Sequence, residues 1–235
     1  MRKLRLNLKI DWTSKIIDLF IVIIGITIAF RLNSWNEARK TNIEVKRYIK
    51  SFYDENKANR EVMVSSLEFL KSKKQGIDSL EQILVSKNYS NKRIKFLTAE
   101  MSSMPDFSPS TITMQNITSS GKFEQVGDIN LRRDIIRTYD AYKATRDLGA
   151  LLTNYGNKYV TPFFFKNVRL SNFGSIHSNF VKDPLFENIV IGYDVLLKQL
   201  IKGYERNLDL VNALNKKLTS IESLQVEQRK SKTIK

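Results

Sequence analysis

WTSKIIDLFIVIIGITIAFRLNSWNEARK, residues 12–40, decides how the rest of the chain is read. From Leu19 to Phe30 twelve residues pass without a charge, and Ile16 and Ile17 extend the apolar run beyond Asp18. A helix that crosses a bilayer usually needs about 20 largely apolar residues, so the run alone is short. Its flanks complete it. Lys15 and Arg31 have stems long enough to carry their charges back to the headgroups. Trp12 and Trp35 stand 23 positions apart, which on a helix is roughly 34 Å, close to the hydrocarbon thickness. Two tryptophans at that separation form the aromatic belt of a spanning helix.

The chain therefore reads as a basic segment over 1–15, a transmembrane anchor over 16–36, a soluble helical bundle over 37–228 and a basic tail over 229–235. Two other readings use the same residues. A signal peptide would end at Thr27-Ile28-Ala29, although Asp18 interrupts its apolar region and Phe30-Arg31 makes an awkward mature start. Apolar runs of about 10 to 14 residues also occur in buried core helices. Orientation is nearly balanced: Arg2, Lys3, Arg5, Lys9 and Lys15 face Asp11 alone, but residues 31–50 are also basic. The expectation is a bacterial inner-membrane protein with its N-terminus in the cytoplasm and its bundle in the periplasm.

The 235 residues carry a formal charge of +15, from 39 basic and 24 acidic side chains. The excess is dispersed, without blocks of like charge, so no specific nucleic acid is expected as a partner. A diffuse positive field favours acidic surfaces, anionic lipid among them. An apolar share of 42% is ordinary for a chain with a packed core. Cysteine is absent, which excludes disulfides, thiolate metal sites and cysteine nucleophiles.

The stretch DLFIVIIGITIAFRLNSWNEARK resembles the hallmark of a family of small uncharacterised inner-membrane proteins of Gram-negative Bacteroidota, defined by a domain of unknown function. The residues that carry the resemblance are Asp18, Ile24-Gly25-Ile26, Asn33, Trp35-Asn36-Glu37 and Arg39-Lys40. RYIKSFYDENKAN and ITSSGKFEQVGDINLRRDIIRTYDAY are similar to the family's next two landmarks, so the likeness touches residues 16–60 and 112–142. Aspartate at 18 replaces the usual glutamate, and Arg31 replaces a common uncharged amide. The resemblance implies an anchored helical protein and no known reaction.

Beyond the anchor, Val45, Ile49, Phe52, Met63, Leu67 and Leu70 recur at helical steps, in a stripe interrupted by Asn56 and Asn59. A second run, Ile77, Leu80, Ile83 and Leu84, fades at the polar cluster 87–91, so the two form either a pair of helices or one rod. A short helix is predicted from about Ser110 to Ser120, stopped at Gly121. Asp128 is the predicted N-cap of a helix carrying Leu131, Ile135, Ile136, Tyr139 and Tyr142. The aromatic stretch 159–180 predicts a packed irregular loop or a broken helix. In the last helix Leu197, Leu200, Tyr204, Asn207, Val211, Leu214, Leu218 and Ile221 follow steps of three and four, the packing seam of a helix against neighbours. Asn207 in that seam requires a mate, either within the chain or in a second copy.

Among candidate sites, the intramembrane acid Asp18 is the sharpest, because acids in spanning helices often carry protons. The plainer reading puts it in the first helical turn, where the dipole favours an anion, with Lys15 three residues away. His177, the single histidine, has no metal or triad spacing around it and reads as a packed loop residue. Asp54 and Glu55 diverge on their helix and form no catalytic pair. Gly121 and Gly127 lack the lysine that would complete a phosphate loop. Tyr139 and Tyr142 with Arg132, Arg133 and Arg137 suit a nucleic-acid strand only if the rings are exposed. Phe163-Phe164-Phe165 with Lys166 suits either a membrane surface or the core.

The sequence thus predicts an all-α protein with an N-terminal transmembrane helix followed by a bundle of four to six helices, some long and coiled-coil-like. No catalytic, metal or cofactor set is expected, and an enzyme is the least favoured reading. The favoured function is a non-catalytic membrane-anchored scaffold or interaction protein whose partners are the bilayer, another protein or a second copy, and anionic lipid. The alternatives are a subunit of an ion-driven channel or motor using Asp18, and a sensor binding an acidic ligand or lipid between helices.

Overall fold

A computed structural model of the chain describes residues 12–103, 107–177 and 179–233, with side chains over 15–103, 107–177 and 179–223. The basic segment up to residue 11, the ring of Trp12 and the side chains of the tail lie outside the described residues. The chain is all-α, apart from one two-stranded ribbon. In order, it forms α1 (Trp12–Val85), α2 (Ile94–Glu100), α3 (Ile112–Ser119), α4 (Ile129–Tyr155), α5 (Thr161–Asn167), β1 (Val168–Arg169), β2 (Gly174–Ser175) and α6 (Pro184–Thr233). It divides into two compact units, Met1–Arg47 and Tyr48–Lys235.

The first unit, among the described residues, is the N-terminal part of α1. It is long and apolar enough to cross a membrane, and its large apolar residues are exposed from Ile16 to Leu32. No proline falls within α1, so nothing breaks its ladder of amide bonds.

The second unit is built on three long helical segments. In the α1 segment Ile49, Phe52, Asn56, Asn59, Met63, Ser66, Leu70, Lys73, Ile77, Leu80 and Leu84 are buried in an unbroken alternation of steps of three and four, with Leu67 and Ile83 buried beside them. The two predicted runs are one rod. Asn56 and Asn59 do not interrupt the stripe, as expected from their polarity; they belong to it. In α6 the same alternation buries Phe186, Val190, Tyr193, Leu197, Leu200, Tyr204, Asn207, Val211, Leu214 and Leu218; Ile221 is half-buried.

Cross-helix bonds fix the directions. Asn56 meets Val211, and Lys71 and Lys74 meet Glu205 and Asp194, so α1 and α6 run antiparallel. Lys217 meets Asp134, Asn207 meets Ala141 and Tyr155 meets Ile189, so α4 and α6 are antiparallel as well. It follows that α1 and α4 are parallel, and the chain between them returns along the bundle through α2 and α3.

Local chemistry sets the boundaries. Lys87 takes a left-handed φ of 55° after the end of α1, while Asn88 N–H bonds the Ile83 carbonyl and Lys87 N–H that of Leu84, the paired bonds of a Schellman stop. Gly121, at φ 67°, closes α3 in the same way with Lys122 N–H on the Ile117 carbonyl, as its sequence position predicts. Asp128 caps α4 by accepting from Asn130 N–H at 2.8 Å and Leu131 N–H at 3.1 Å. Those backbone bonds hold its carboxyl below the usual range. Pro162 and Pro184 stand in first turns, where the missing donor costs nothing.

The aromatic stretch resolves into a π-helical turn, Gly156–Val160, followed by α5, the ribbon and a 3-10 turn at Phe180–Lys182. Phe163, Phe180 and Phe186 form one ring cluster, with Phe186 stacked on Phe163 at 5.5 Å and edge-on to Phe180 at 5.1 Å. Phe164 is also buried, whereas Phe165 is exposed. Two other sequence expectations are corrected. Ile136 is exposed, and Thr138 and Thr145 take the buried places on α4. His177 is exposed at a bend instead of packed in a loop.

Candidate functional site

In the first unit Lys15, Asp18, Arg31 and Trp35 are all exposed on α1. The Arg39 guanidinium lies 5.9 Å from the Trp35 ring centre. Because α1 is already under way at Trp12, Asp18 stands beyond the first turn, which removes the dipole explanation for it.

In the second unit the polar side chains gather into a layer across all three long helices. Glu55, half-buried on α1, accepts from Ser110 Oγ at 2.9 Å, Thr113 N–H at 3.0 Å, Thr113 Oγ1 at 3.1 Å and the Tyr139 hydroxyl. It thus closes the N-terminal end of α3 from outside that helix. Asn59 exchanges two bonds with the Ser110 backbone, at 2.9 and 2.8 Å. Tyr142 donates to Asn56 Oδ1 at 2.6 Å, and Asn56 donates to the Val211 carbonyl at 3.3 Å. Asn207 finds its mates on α4, at the Ala141 carbonyl and at Thr145 Oγ1, 2.8 Å away. The α6 seam is therefore satisfied within the chain.

Burial pushes the Tyr139 and Tyr142 hydroxyls well above their ordinary range, so both stay protonated donors. Their rings lie inside the bundle while Arg133 and Arg137 point outward, an arrangement unlike a stacking platform for nucleic acid.

Lys73 is the most unusual charge. It is 4% exposed, and its ammonium bonds the Glu100 and Ser103 carbonyls and Ser103 Oγ, the last at 3.1 Å. These oxygens close the C-terminal end of α2, a task that suits a cation. Burial lowers the Lys73 pKa to about 8, against the pull of the Glu100 carboxylate. Between that value and the ordinary 10.5 the unfolded chain binds more protons than the folded one, so stability rises with pH across the window. Lys73→Met removes this contribution. In melts at about pH 7.5 and about pH 9.5, wild type is expected to gain several degrees relative to the variant at the higher pH; an unchanged gap would contradict the assignment.

Asp78, Glu81 and Asp194 converge, with carboxylate oxygens within 4.8 Å of one another. Two lysines offset part of its charge: Asp194, 2% exposed, pairs with Lys74 at 3.1 Å and with Lys198, and its hydrogen bond raises the Lys198 pKa. It ties α1 to α6. On α4, by contrast, an open groove of about 410 Å³ combines exposed Ile129 and Ile136 with Arg132, Arg133 and Arg137. Arg132 is paired with Glu124, so three arginines face one acid there.

The family model described as "Family of unknown function (DUF6090)" matches residues 18–156. The chain belongs to this family. The match opens at Asp18 and takes in the apolar helix, the α1 and α4 members of the Glu55 layer and the whole of α4; the ribbon and α6 lie beyond it. No curated protein and no solved structure matches the chain. The family brings no reaction with it.

The sequence placed the α6 seam where the structure has it, but gave no role to Glu55 or Lys73. A polar residue falling in step with an apolar stripe was the available signal for Asn56, Asn59 and Lys73.

Proposed function

We propose that the protein is a single-pass protein of a Gram-negative inner membrane, anchored by residues 16–36, and that its bundle is a non-catalytic interaction or scaffold module on the periplasmic side. The exposed apolar helix carries the reading. Ile16, Ile17, Leu19, Phe20, Ile21, Val22, Ile23, Ile24, Ile26, Ile28, Phe30 and Leu32 are each at least half exposed. Leaving such a set in water forgoes on the order of 20 kcal/mol of apolar transfer free energy. Lipid tails remove that cost, with Lys15, Arg31 and Trp35 at the headgroups.

Since the α6 seam is occupied internally, a partner would use another surface. The Ile129–Arg137 face, apolar and basic together, suits an acidic protein surface. Support for a non-catalytic role is that Tyr139, Tyr142 and Lys73 are each engaged in holding helices together.

The full chain is expected to stay with membrane vesicles through an alkaline carbonate wash, and a C-terminal reporter is expected to be active only as a periplasmic fusion. Release by carbonate would sink the anchor. Because the chain lacks cysteine, an Ile136→Cys variant carries a unique thiol, and crosslinking from it in intact membranes should trap a partner that Phe165→Cys does not.

A second reading, an ion-driven channel or motor subunit, draws support from Asp18 standing beyond the first turn of α1 within the apolar segment. Asp18→Asn separates the two. Under the scaffold reading the variant keeps its crosslinked partners and cellular role; under the motor reading it keeps the partners and loses the role.

A further inference from the structure

At the end of the bundle where α1 gives way to α2, the turn around Tyr89–Lys95 faces the ribbon and the 3-10 turn across a cavity of about 350 Å³, within the size range of small-molecule sites. Its base is apolar: Ile94, Phe180 and Val181 are buried there. Phe173 forms one wall. Its backbone sits in the left-handed region at φ 51°, where a bulky side chain is seldom found, and its ring stands edge-on to Phe164 at 6.5 Å. The packing that holds this conformation also keeps the ring against the cavity.

The rim has one polarity. Lys92 and Lys95 are exposed on it, and among the described residues lining the cavity there is no aspartate or glutamate. The two lining asparagines each accept one backbone bond, Asn91 Oδ1 from Arg93 N–H at 2.9 Å and Asn179 Oδ1 from Val181 N–H at 3.2 Å. Their amide groups add donors beside the lysines. Two ammonium groups and two amide donors above a ring-lined floor complement a negative head on an apolar body.

We infer that this cavity binds a small organic anion, a carboxylate or phosphate monoester carrying a ring or a short apolar group, with its head on Lys92 and Lys95 and its body on Phe173 and Phe180. The site does not depend on the anchor or on the Ile129–Arg137 face, so its failure would leave the proposed function standing.

Phenyl phosphate is the probe, titrated into the purified full-length chain in detergent and followed by saturation-transfer NMR. Saturable binding is expected for wild type. Lys92→Glu with Lys95→Glu should weaken it at least about tenfold, the loss of one charge-assisted bond or more. Both lysines are exposed, and an unchanged melting temperature checks that the double variant is folded. Phe173→Ala should weaken phenyl phosphate while leaving inorganic phosphate unaffected. Absence of saturation at millimolar probe, equal binding by the double variant, or equal binding of uncharged benzyl alcohol would each overturn the assignment.

Discussion

Replacing Phe186 with alanine is expected to lower the unfolding free energy of the bundle by about 3–5 kcal/mol and its melting temperature by about 10 °C. Phe186 is fully buried at the start of α6 and touches both Phe163 and Phe180. Its removal strips ring contacts from α5 and from the 3-10 turn at once. Those partners cannot close the space freely. Phe163 lies one turn past the π-helical segment, and Phe180 is fixed by a 3-10 turn whose Asn179 side chain holds Val181 N–H. Phe165→Ala is the control: that ring is 69% exposed, and its loss should change stability by less than about 0.5 kcal/mol. Thermal melts of the detergent-solubilised chain by circular dichroism compare the two. Equal effects would show that the cluster does not hold the end of the bundle together.

The second large effect is expected at Glu55. Glu55→Ala leaves the Ser110 and Thr113 hydroxyls, the Thr113 amide and the Tyr139 hydroxyl without their acceptor. A stranded donor in a partly buried setting costs about 1–3 kcal/mol, but Ser110 and Thr113 can turn to water, so a total of about 3 kcal/mol is expected. Glu55→Gln keeps one acceptor oxygen and should cost about half as much. Hydrogen exchange adds a local test: the Thr113 amide should exchange faster in Glu55→Ala than in the glutamine variant. If the two variants match wild type, Glu55 does not hold α3.

How much of this was legible depends on whether a residue's partner is near it in sequence. The α6 seam could be read because leucine, valine and tyrosine at steps of three and four announce a buried face by themselves. Asn56 offered only its place in step with the stripe, and what makes it a core residue is Tyr142, 86 positions away. The exchange of Ile136 for Thr138 has a related cause. Thr138 and Thr145 each turn their hydroxyl back onto the carbonyl four residues earlier, at 2.8 Å, which satisfies it inside the core, and residue type alone does not announce this. The aromatic stretch has no single period because it holds a π-turn, a short helix and a ribbon in succession. The cavity beside Lys92 joins segments about eighty positions apart, and only the fold brings them together. The apolar helix was the most legible element, because twelve uncharged residues between basic flanks need no tertiary information.

The parallel course of α1 and α4 has a consequence for biosynthesis. The stripe from Ile49 to Leu84 leaves the ribosome first, and its two covering helices follow only after the long return through α2 and α3. At about 5–20 residues per second, the last of α6 emerges roughly ten to thirty seconds after that stripe. For that interval the nascent chain carries a greasy ridge that α4 covers only in part, and the ridge is closed from water only when α6 joins it.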